Sequence, residues 1–216
     1  MRRFAHVERQ GICDLALAVG PEAPTLCEGW TVIDLISHLV IRERDPIGAA
    51  GIFLPVFSHS TRKRQEQLMA RHDFADLVEM VRSGPQRLNP LSRSGVDEMI
   101  NAMEFFIHHE DIRRASSHTV IPRPLQRSYD DQLWRKTVFI ARQRLKKARI
   151  GVMFDRLVNG ASVEHIIVAT GPHPLTVRGE ASEVAMWIYG RGSHARIDFE
   201  GDDEAHERLS TLDLSI

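Results

Sequence analysis

Gly151 divides the sequence into two parts in which apolar residues repeat with different periods. Before it, apolar side chains recur every three or four positions, as an amphipathic helix requires, in stretches that end at Gly and Pro. After it, short runs rich in β-branched residues are separated by turn dipeptides such as Asn159-Gly160, which is typical of a β-hairpin. We therefore predict a mainly α protein, with an antiparallel four-helix bundle in residues 1–150 and a small α+β unit in residues 151–216.

The individual segments are predicted from spacing and from the residues that end helices. Four substantial helices are expected in the first part, over residues 2–19, from Val32 to the break at Asp45-Pro46, and over about 96–115 and 128–149. Shorter helical turns are expected within 59–83, broken near His72-Asp73. The second part is expected to hold strands at 152–158, 164–169, 175–177 and 195–199, a helix at 181–189, and an acidic turn after the last strand.

Composition and charge exclude several classes of protein. With 216 residues, 43% of them hydrophobic, the chain can form one large domain or two small ones with a buried core. Its 28 basic and 29 acidic residues give a net charge of -1, without the basic surplus of proteins that bind nucleic acids or anionic membranes. We therefore expect no nucleic-acid or membrane partner, and a monomer or a homodimer.

Cysteine usage and the longest apolar run indicate the compartment. Cys13 and Cys27 are too few for a disulfide framework and are expected to be free thiols. The longest apolar stretch, Gly48–Phe57, is half the length of a membrane span, and no signal-peptide pattern follows the basic start. These features predict a cytoplasmic protein.

The predicted helix over 96–115 places two ligand-type side chains on its buried face. The apolar residues that mark this face are separated by four, three and four positions: Val96, Ile100, Met103 and Ile107. Glu104 and His108 follow Ile100 at steps of four, so both point toward the same face, where a carboxylate needs a partner. Two such groups one turn apart can bind a metal ion from one side.

His38, on the border of the apolar face of the second helix, can supply a third ligand. Imidazole nitrogen and carboxylate oxygen suit zinc and other divalent transition metals, and three protein ligands leave a coordination position open for water or substrate. The same ligand types fit a non-haem iron oxygenase. The pattern alone also fits a hydrogen-bonded core histidine at His38 and a simple i,i+4 pair between Glu104 and His108.

Several segments resemble a known family. Trp30-Thr31-Val32-Ile33-Asp34-Leu35-Ile36-Ser37-His38-Leu39 resembles the Trp-Thr-Val-x-Asp-Leu-x-x-His-Leu signature of the N-terminal domain of mycothiol-dependent maleylpyruvate isomerases, which belong to the DinB-like four-helix metalloproteins. Met103-Glu104-Phe105-Phe106-Ile107-His108 looks like the Glu-x-x-x-His helix of that family. Residues 177–183 and 187–191 are similar to the small C-terminal domain of many members. The resemblance covers nearly the whole chain and points to an actinobacterial branch.

This resemblance implies a DinB-like bundle and a divalent metal, usually zinc, held at the positions of His38, Glu104 and His108. It also implies that the metal deprotonates mycothiol or another small thiol, which then reacts with a small substrate in a transfer or isomerisation. Arg42 and Arg113 are the candidates for holding the cofactor or an anionic substrate, although charged residues near helix ends are more often simply solvated. Because the chain is short between His38 and Glu104 and in its tail, maleylpyruvate itself is not predicted as the substrate.

Three further residues have less specific readings. Cys27 precedes the second helix, whose positive end could lower the pKa of its thiol, but we favour a packed loop thiol. Asp111, three positions after His108, could accept a hydrogen bond from that imidazole, although pairing with a nearby arginine is favoured. His109 points roughly 100° away from His108 and is not expected at the same metal.

Two other functions remain open, a hydrolase that uses metal-bound water and a non-catalytic protein that binds a small ligand.

Overall fold

A computed structural model describes residues 4–45, 58–85, 94–116, 121–212 and 214, which form a mainly helical protein with a small four-stranded sheet. The predicted mainly α class is confirmed. The chain separates into two compact units, Met1–His118 and Thr119–Ile216. The apolar stretch Gly48–Phe57 lies outside the described residues, as do the side chains of Val96 and Ile100. In the described ranges, no helix has both the length and the apolar character needed to cross a bilayer.

The first unit contains five helices within its described residues: α1 (Phe4–Val19), α2 (Val32–Arg44), α3 (Ser58–Met69), α4 (Phe74–Ser83) and α5 (Ser94–Ala115). Helix α1 packs against α4 and α5, and α2 packs against α3 and α4. The break expected near His72-Asp73 is confirmed by the gap between α3 and α4. Apolar residues of α1, α2, α4 and α5 form one buried core, in which Ile12, Leu35, Leu77 and Phe105 are fully covered.

Helix α2 begins where the sequence predicts, because Asp34 and Thr31 form its N-terminal cap. Oδ2 of Asp34 accepts hydrogen bonds from the backbone N–H of Thr31 at 2.9 Å and from its hydroxyl at 2.7 Å. This start fixes which residues of α2 face inward. Leu35 and Leu39 are buried in the core, and His38 lies beside them at the edge of the same face.

A buried ion pair joins α1 to α2. NH1 and NH2 of Arg9 donate to the two carboxylate oxygens of Glu43 at 2.5 and 2.6 Å, and the two side chains are only 4% and 2% exposed. NH1 of Arg9 also donates to the carbonyl oxygen of Val81 on α4 at 2.9 Å. The two-pronged contact fixes α1 and α2 in one relative position, since an arginine fork fits a carboxylate in one geometry.

The second unit contains, in chain order, α6 (Arg127–Arg144), β1 (Val152–Val158), β2 (Ala161–Ala169), β3 (Leu175–Glu180), α7 (Ala181–Ile188), β4 (Ile197–Glu200) and α8 (Asp203–Ser210). The four strands form one sheet in the order β2-β1-β3-β4. Strand β1 is antiparallel to β2 and parallel to β3, and β3 is antiparallel to β4. Asn159 and Gly160 have φ values of 53° and 78°, so the predicted Asn-Gly hairpin is confirmed.

Helix α6 belongs to the second compact unit, although the sequence places it in the first. It packs against α7, and its Trp134 lies against Phe154 of β1 with ring centroids 5.8 Å apart. Arg156 of β1 donates to Asp130 and Asp131 of α6 at 2.6 Å each. The compact units therefore divide at His118, whereas the sequence places the domain boundary after residue 150, and the first unit holds three of the four helices of the predicted bundle.

Two of the differences from the predicted elements have local reasons. Helix α6 ends at Arg144 and continues only as a 3-10 turn over Leu145–Lys147, because Arg149 has a φ of 55°, which an α-helix cannot contain. The acidic residues after β4 start a helix, α8, where only a turn is expected. The side chain of Asp202 accepts a hydrogen bond from the backbone N–H of Ala205 at 2.8 Å and so caps α8.

Candidate metal centre

Helices α2 and α5 bring together the three residues that the sequence indicates as metal ligands. Oε1 of Glu104 lies 3.2 Å from Nε2 of His108 and 3.6 Å from Nε2 of His38. The two imidazole rings lie edge to face with their centroids 5.5 Å apart. One ligand atom from each residue lies within 4.8 Å of the other two. Two helices thus present two imidazole nitrogens and one carboxylate oxygen to a common point.

These spacings suit a divalent cation. Ligand atoms about 2.0–2.1 Å from a tetrahedral zinc ion lie about 3.3 Å from one another, and the distances of 3.2 and 3.6 Å from Oε1 of Glu104 are close to this value. The side chains are mostly covered, with exposed fractions of 11% for His38, 23% for Glu104 and 11% for His108. Three ligands leave at least one coordination position for water or substrate. The residues present therefore fit zinc or a similar transition metal.

The second nitrogen of His108 is held by a buried carboxylate. Nδ1 lies 3.0 Å from Oδ2 of Asp111, whose side chain is fully covered. Burial alone would lower the pKa of His108, but hydrogen bonds with Asp111, Cys27 and Glu104 outweigh it and hold that pKa well above its usual value. The carboxylate fixes the orientation of the ring, so that Nε2 faces Glu104. Asp111 therefore orients the imidazole of His108. The sequence alone allows this role but favours pairing of Asp111 with a nearby arginine.

A chain of buried polar side chains supports Glu104 from the other side. Nε of Arg42 lies 3.4 Å from Oε1 of Glu104, and NH1 of Arg42 donates to the side-chain oxygen of Asn101. Nδ2 of Asn101 donates in turn to Oε1 of Glu43 at 3.3 Å. Since Glu43 is paired with Arg9, a continuous series of hydrogen bonds and ion pairs connects α1 to the candidate metal centre.

The charge states of Glu104 and His38 favour cation binding, whereas a cation at His108 must displace the proton that its raised pKa retains. Burial alone would raise the pKa of Glu104, but its hydrogen bonds with His108 and His38 hold that pKa well below its usual value. Burial lowers the pKa of His38, and the hydrogen bond with Glu104 opposes this only in part. The ring of Trp30 lies 5.1 Å from the ring of His38 and helps to cover it. A carboxylate and a neutral imidazole are the forms that bind metals.

The two arginines predicted to hold a cofactor occupy different surroundings. Arg42 is buried and its guanidinium contacts Asn101 and Glu104, at the border of the candidate metal centre. Arg113 is paired with a carboxylate on its own helix, since its NH2 donates to Oε2 of Glu110 at 2.6 Å. The structure thus brings Arg42, and not Arg113, into contact with a predicted metal ligand.

Two residues next to the site were assigned no part in it from the sequence. Asn101 lies three positions before Glu104 on α5, so the helical spacing could have indicated it. Sγ of Cys27 lies 3.2 Å from Oδ2 of Asp111, but Cys27 is in a loop, where no periodicity indicates which way a side chain points. His109 points away from the site as predicted, and its Nδ1 lies 2.8 Å from Oε2 of Glu8 on α1.

Comparison with known proteins supports the fold. No family model matches the sequence, and no curated protein matches it either. One solved structure has a similar fold over 91% of this chain, with a TM-score of 0.53 and 15% sequence identity. It is the crystal structure of the mycothiol-dependent maleylpyruvate isomerase, 90% of whose chain is covered. At this identity the similarity shows a shared fold.

Proposed function

We propose that the chain is a metal-dependent enzyme in which His38, Glu104 and His108 hold a divalent cation, zinc being the ion that this ligand set suits best. The observation that carries the proposal is the convergence of three ligand atoms from two helices within 4.8 Å. Partners outside the ligand set support two of them, since Asp111 orients His108 and Arg42 contacts Glu104. Such outer contacts are typical of working metal sites.

The reaction we propose is thiol transfer or isomerisation, with mycothiol or another small thiol as cofactor and a small molecule as substrate. The similarity in fold to a mycothiol-dependent isomerase supports this reaction class, and the DinB-like four-helix bundle is proposed on the same basis. A protein of this kind would act in the cytoplasm, where small thiols stay reduced.

The chain's own residues have distinct tasks in this reaction. A bound divalent cation would supply acidity, since thiols that coordinate such an ion lose their proton. His38 and His108 hold their Nε2 atoms toward the site, and Glu104 offsets positive charge there. Asp111 keeps the ring of His108 from turning. Arg42 carries a positive charge beside Glu104, where it could attract the carboxylate groups of a thiol or substrate, and this is the cofactor-binding role that we propose for it.

Metal content tests the ligand assignment. In protein purified without chelator, we expect elemental analysis to find about one divalent ion per chain, bound by these three ligands. His38→Ala and His108→Ala should each lose it. His109→Gln is the matched control, because His109 is next to His108 on α5 but contacts Glu8 instead. Full metal occupancy in both alanine variants would contradict the proposal.

Thiol binding tests the reaction class separately. Calorimetric titration with mycothiol should give a binding signal with the zinc-loaded protein and none with protein stripped of metal, because the thiolate needs the cation. Equal binding to both forms would contradict coordination of the thiol. Metal binding without any response to mycothiol, cysteine or another small thiol would overturn the thiol reaction while leaving the metal site in place.

A further inference from the structure

The imidazole of His108 has ligand-type neighbours at both of its nitrogens. Nε2 faces Glu104 and His38, as described above. Nδ1 lies 3.0 Å from Oδ2 of Asp111 and 3.9 Å from Sγ of Cys27, and these last two atoms are 3.2 Å apart. We propose that Cys27, Asp111 and Nδ1 of His108 form a second cation site, selective for soft, thiophilic ions, which competes with the first site for His108.

The geometry of the three atoms is close to that of a coordination sphere. With metal–sulfur bonds of about 2.3 Å and metal–nitrogen or metal–oxygen bonds of about 2.0–2.2 Å, tetrahedral ligand atoms lie about 3.3–3.6 Å apart. The observed separations of 3.0, 3.2 and 3.9 Å differ from this range by a few tenths of an ångström. Small side-chain rotations would bring a cation within bonding distance of all three.

The loop that carries Cys27 is fastened in place before any cation binds. The backbone N–H of Leu26 donates to the carbonyl oxygen of Asp111 at 3.1 Å, which ties the loop to α5 beside the proposed site. The hydroxyl of Thr25 accepts a hydrogen bond from the backbone N–H of Cys27 at 3.2 Å and donates to the carbonyl oxygen of Trp30 at 2.9 Å. Cys27 is partly exposed.

The ligand set determines which ions would be selected. Thiolate is a soft ligand that favours ions such as Cu⁺ and Cd²⁺, whereas the first site offers only nitrogen and oxygen. Coordination replaces the thiol proton of Cys27, which passes to solvent. The only other cysteine, Cys13, is fully buried, and burial raises the pKa of its thiol to about 11, so it is a poor competitor for metal.

Competition follows from the chemistry of the shared ring. A neutral imidazole offers one nitrogen lone pair, so His108 can serve one cation at a time. A soft ion at Cys27 would therefore release the ion at His38 and Glu104. The competition rests on the proposed function, but the site at Cys27 does not.

Cadmium titration of the full-length protein, stripped of metal beforehand, tests the site. We expect an ultraviolet thiolate-to-cadmium charge-transfer band in the wild-type protein, at least as strong in His38→Ala, unchanged in Cys13→Ser and absent in Cys27→Ser. A band that survives Cys27→Ser, or no band in the wild-type protein, would overturn the site. Because His38→Ala removes the first site alone, loss of the proposed function would leave this result unaffected.

Zinc displacement tests the competition. When cadmium is added to zinc-loaded protein, zinc should be released ion for ion from the wild-type chain, and the same low cadmium concentration should release much less from Cys27→Ser. Release that is equal in the two proteins, or cadmium uptake by the wild-type chain without zinc release, would contradict competition for His108. Equal thermal stability of the two proteins excludes misfolding as the cause of a difference.

Discussion

Asp111 lies about one turn after His108 on α5, and its Oδ2 is 3.0 Å from Nδ1 of His108. Both side chains are buried. The contact gives the imidazole a single useful orientation, with Nε2 toward Glu104 and His38. A pocket formed only by the three predicted ligands would leave this ring free to turn. The precision of the candidate metal centre therefore depends on a residue that is not itself one of the predicted ligands.

Asp111→Asn should weaken zinc binding by about 10- to 100-fold, the usual cost of removing an outer partner of a ligand histidine. The amide is a weaker acceptor for the Nδ1 proton and carries no charge. Competition with a coloured chelator would measure the affinity. Asp198→Asn, at an exposed position of β4, is the control and should bind zinc as the wild-type protein does. Equal affinity in Asp111→Asn and the wild-type protein would refute an orienting role.

The Arg9–Glu43 ion pair should contribute far more to stability than an exposed pair. Glu43→Gln leaves the buried guanidinium of Arg9 with a neutral partner, and losses of about 3–5 kcal/mol are typical of a broken buried pair. Asp14→Asn is the comparison, because Asp14 pairs with Arg82 at a similar distance, 2.7 Å, but is 70% exposed. We expect it to cost less than about 1 kcal/mol. Urea unfolding measures both changes, and similar losses would contradict the argument.

The sequence predicts those parts of this molecule that depend on local pattern. The steps of four that join Ile100, Glu104 and His108 place both ligands on one face of α5, and the cap at Thr31 sets the start of α2, so the convergence of three ligands could be anticipated. The place of α6 in the second compact unit could not be anticipated, because it depends on contacts between Trp134 and a strand that follows it in the chain.

Cys27 and Asp202 show two other reasons why some parts of the structure cannot be predicted from the sequence. The position of Cys27 beside Asp111 depends on a backbone hydrogen bond between a loop and α5, which leaves no periodic trace in the sequence. The side chain of Asp202 starts α8, although an acidic cluster after a strand is equally typical of a turn. Tertiary contacts and single caps decide such cases.

Gly11 should resist replacement by alanine, even though alanine normally stabilises a helix by about 1 kcal/mol relative to glycine. A Cβ at Gly11 would lie 2.7 Å from Cε1 of His109, whose ring is held by Glu8 at 2.8 Å and cannot move away freely. Overpacking of this kind costs about 1–3 kcal/mol. In a His109→Ala background the clash is gone, and Gly11→Ala should become stabilising. A double-mutant cycle in urea would show the change of sign, and stabilisation in both backgrounds would disprove the clash.

Asp155 should make the stability of the second unit depend on pH in the acidic range. Its side chain is 1% exposed, and it accepts hydrogen bonds from the hydroxyl of Ser162 at 2.5 Å and from Nε of Arg178 at 2.6 Å. Burial alone would raise the pKa of Asp155, but these two contacts outweigh it and lower that pKa, with help from the nearby ring of His165. The pKa of Asp155 is lower in the folded protein than in the unfolded chain. Its contribution to the free energy of unfolding is therefore complete above the unfolded pKa of about 3.9 and is lost as the pH falls through the folded pKa.

Asp155→Asn, which has nearly the same shape as the protonated acid, should therefore be less stable than the wild-type protein by about 1–3 kcal/mol at pH 7, the cost of weakening charge-assisted hydrogen bonds. The difference should shrink as the pH falls from about 4, where the unfolded chain begins to take up a proton at this position, through the lower folded pKa of Asp155. Urea unfolding at neutral and acidic pH measures it, with Asp198→Asn as an exposed control. A gap that stays constant with pH would mean that the shape of Asp155, and not its charge, stabilises the hairpin of β1 and β2.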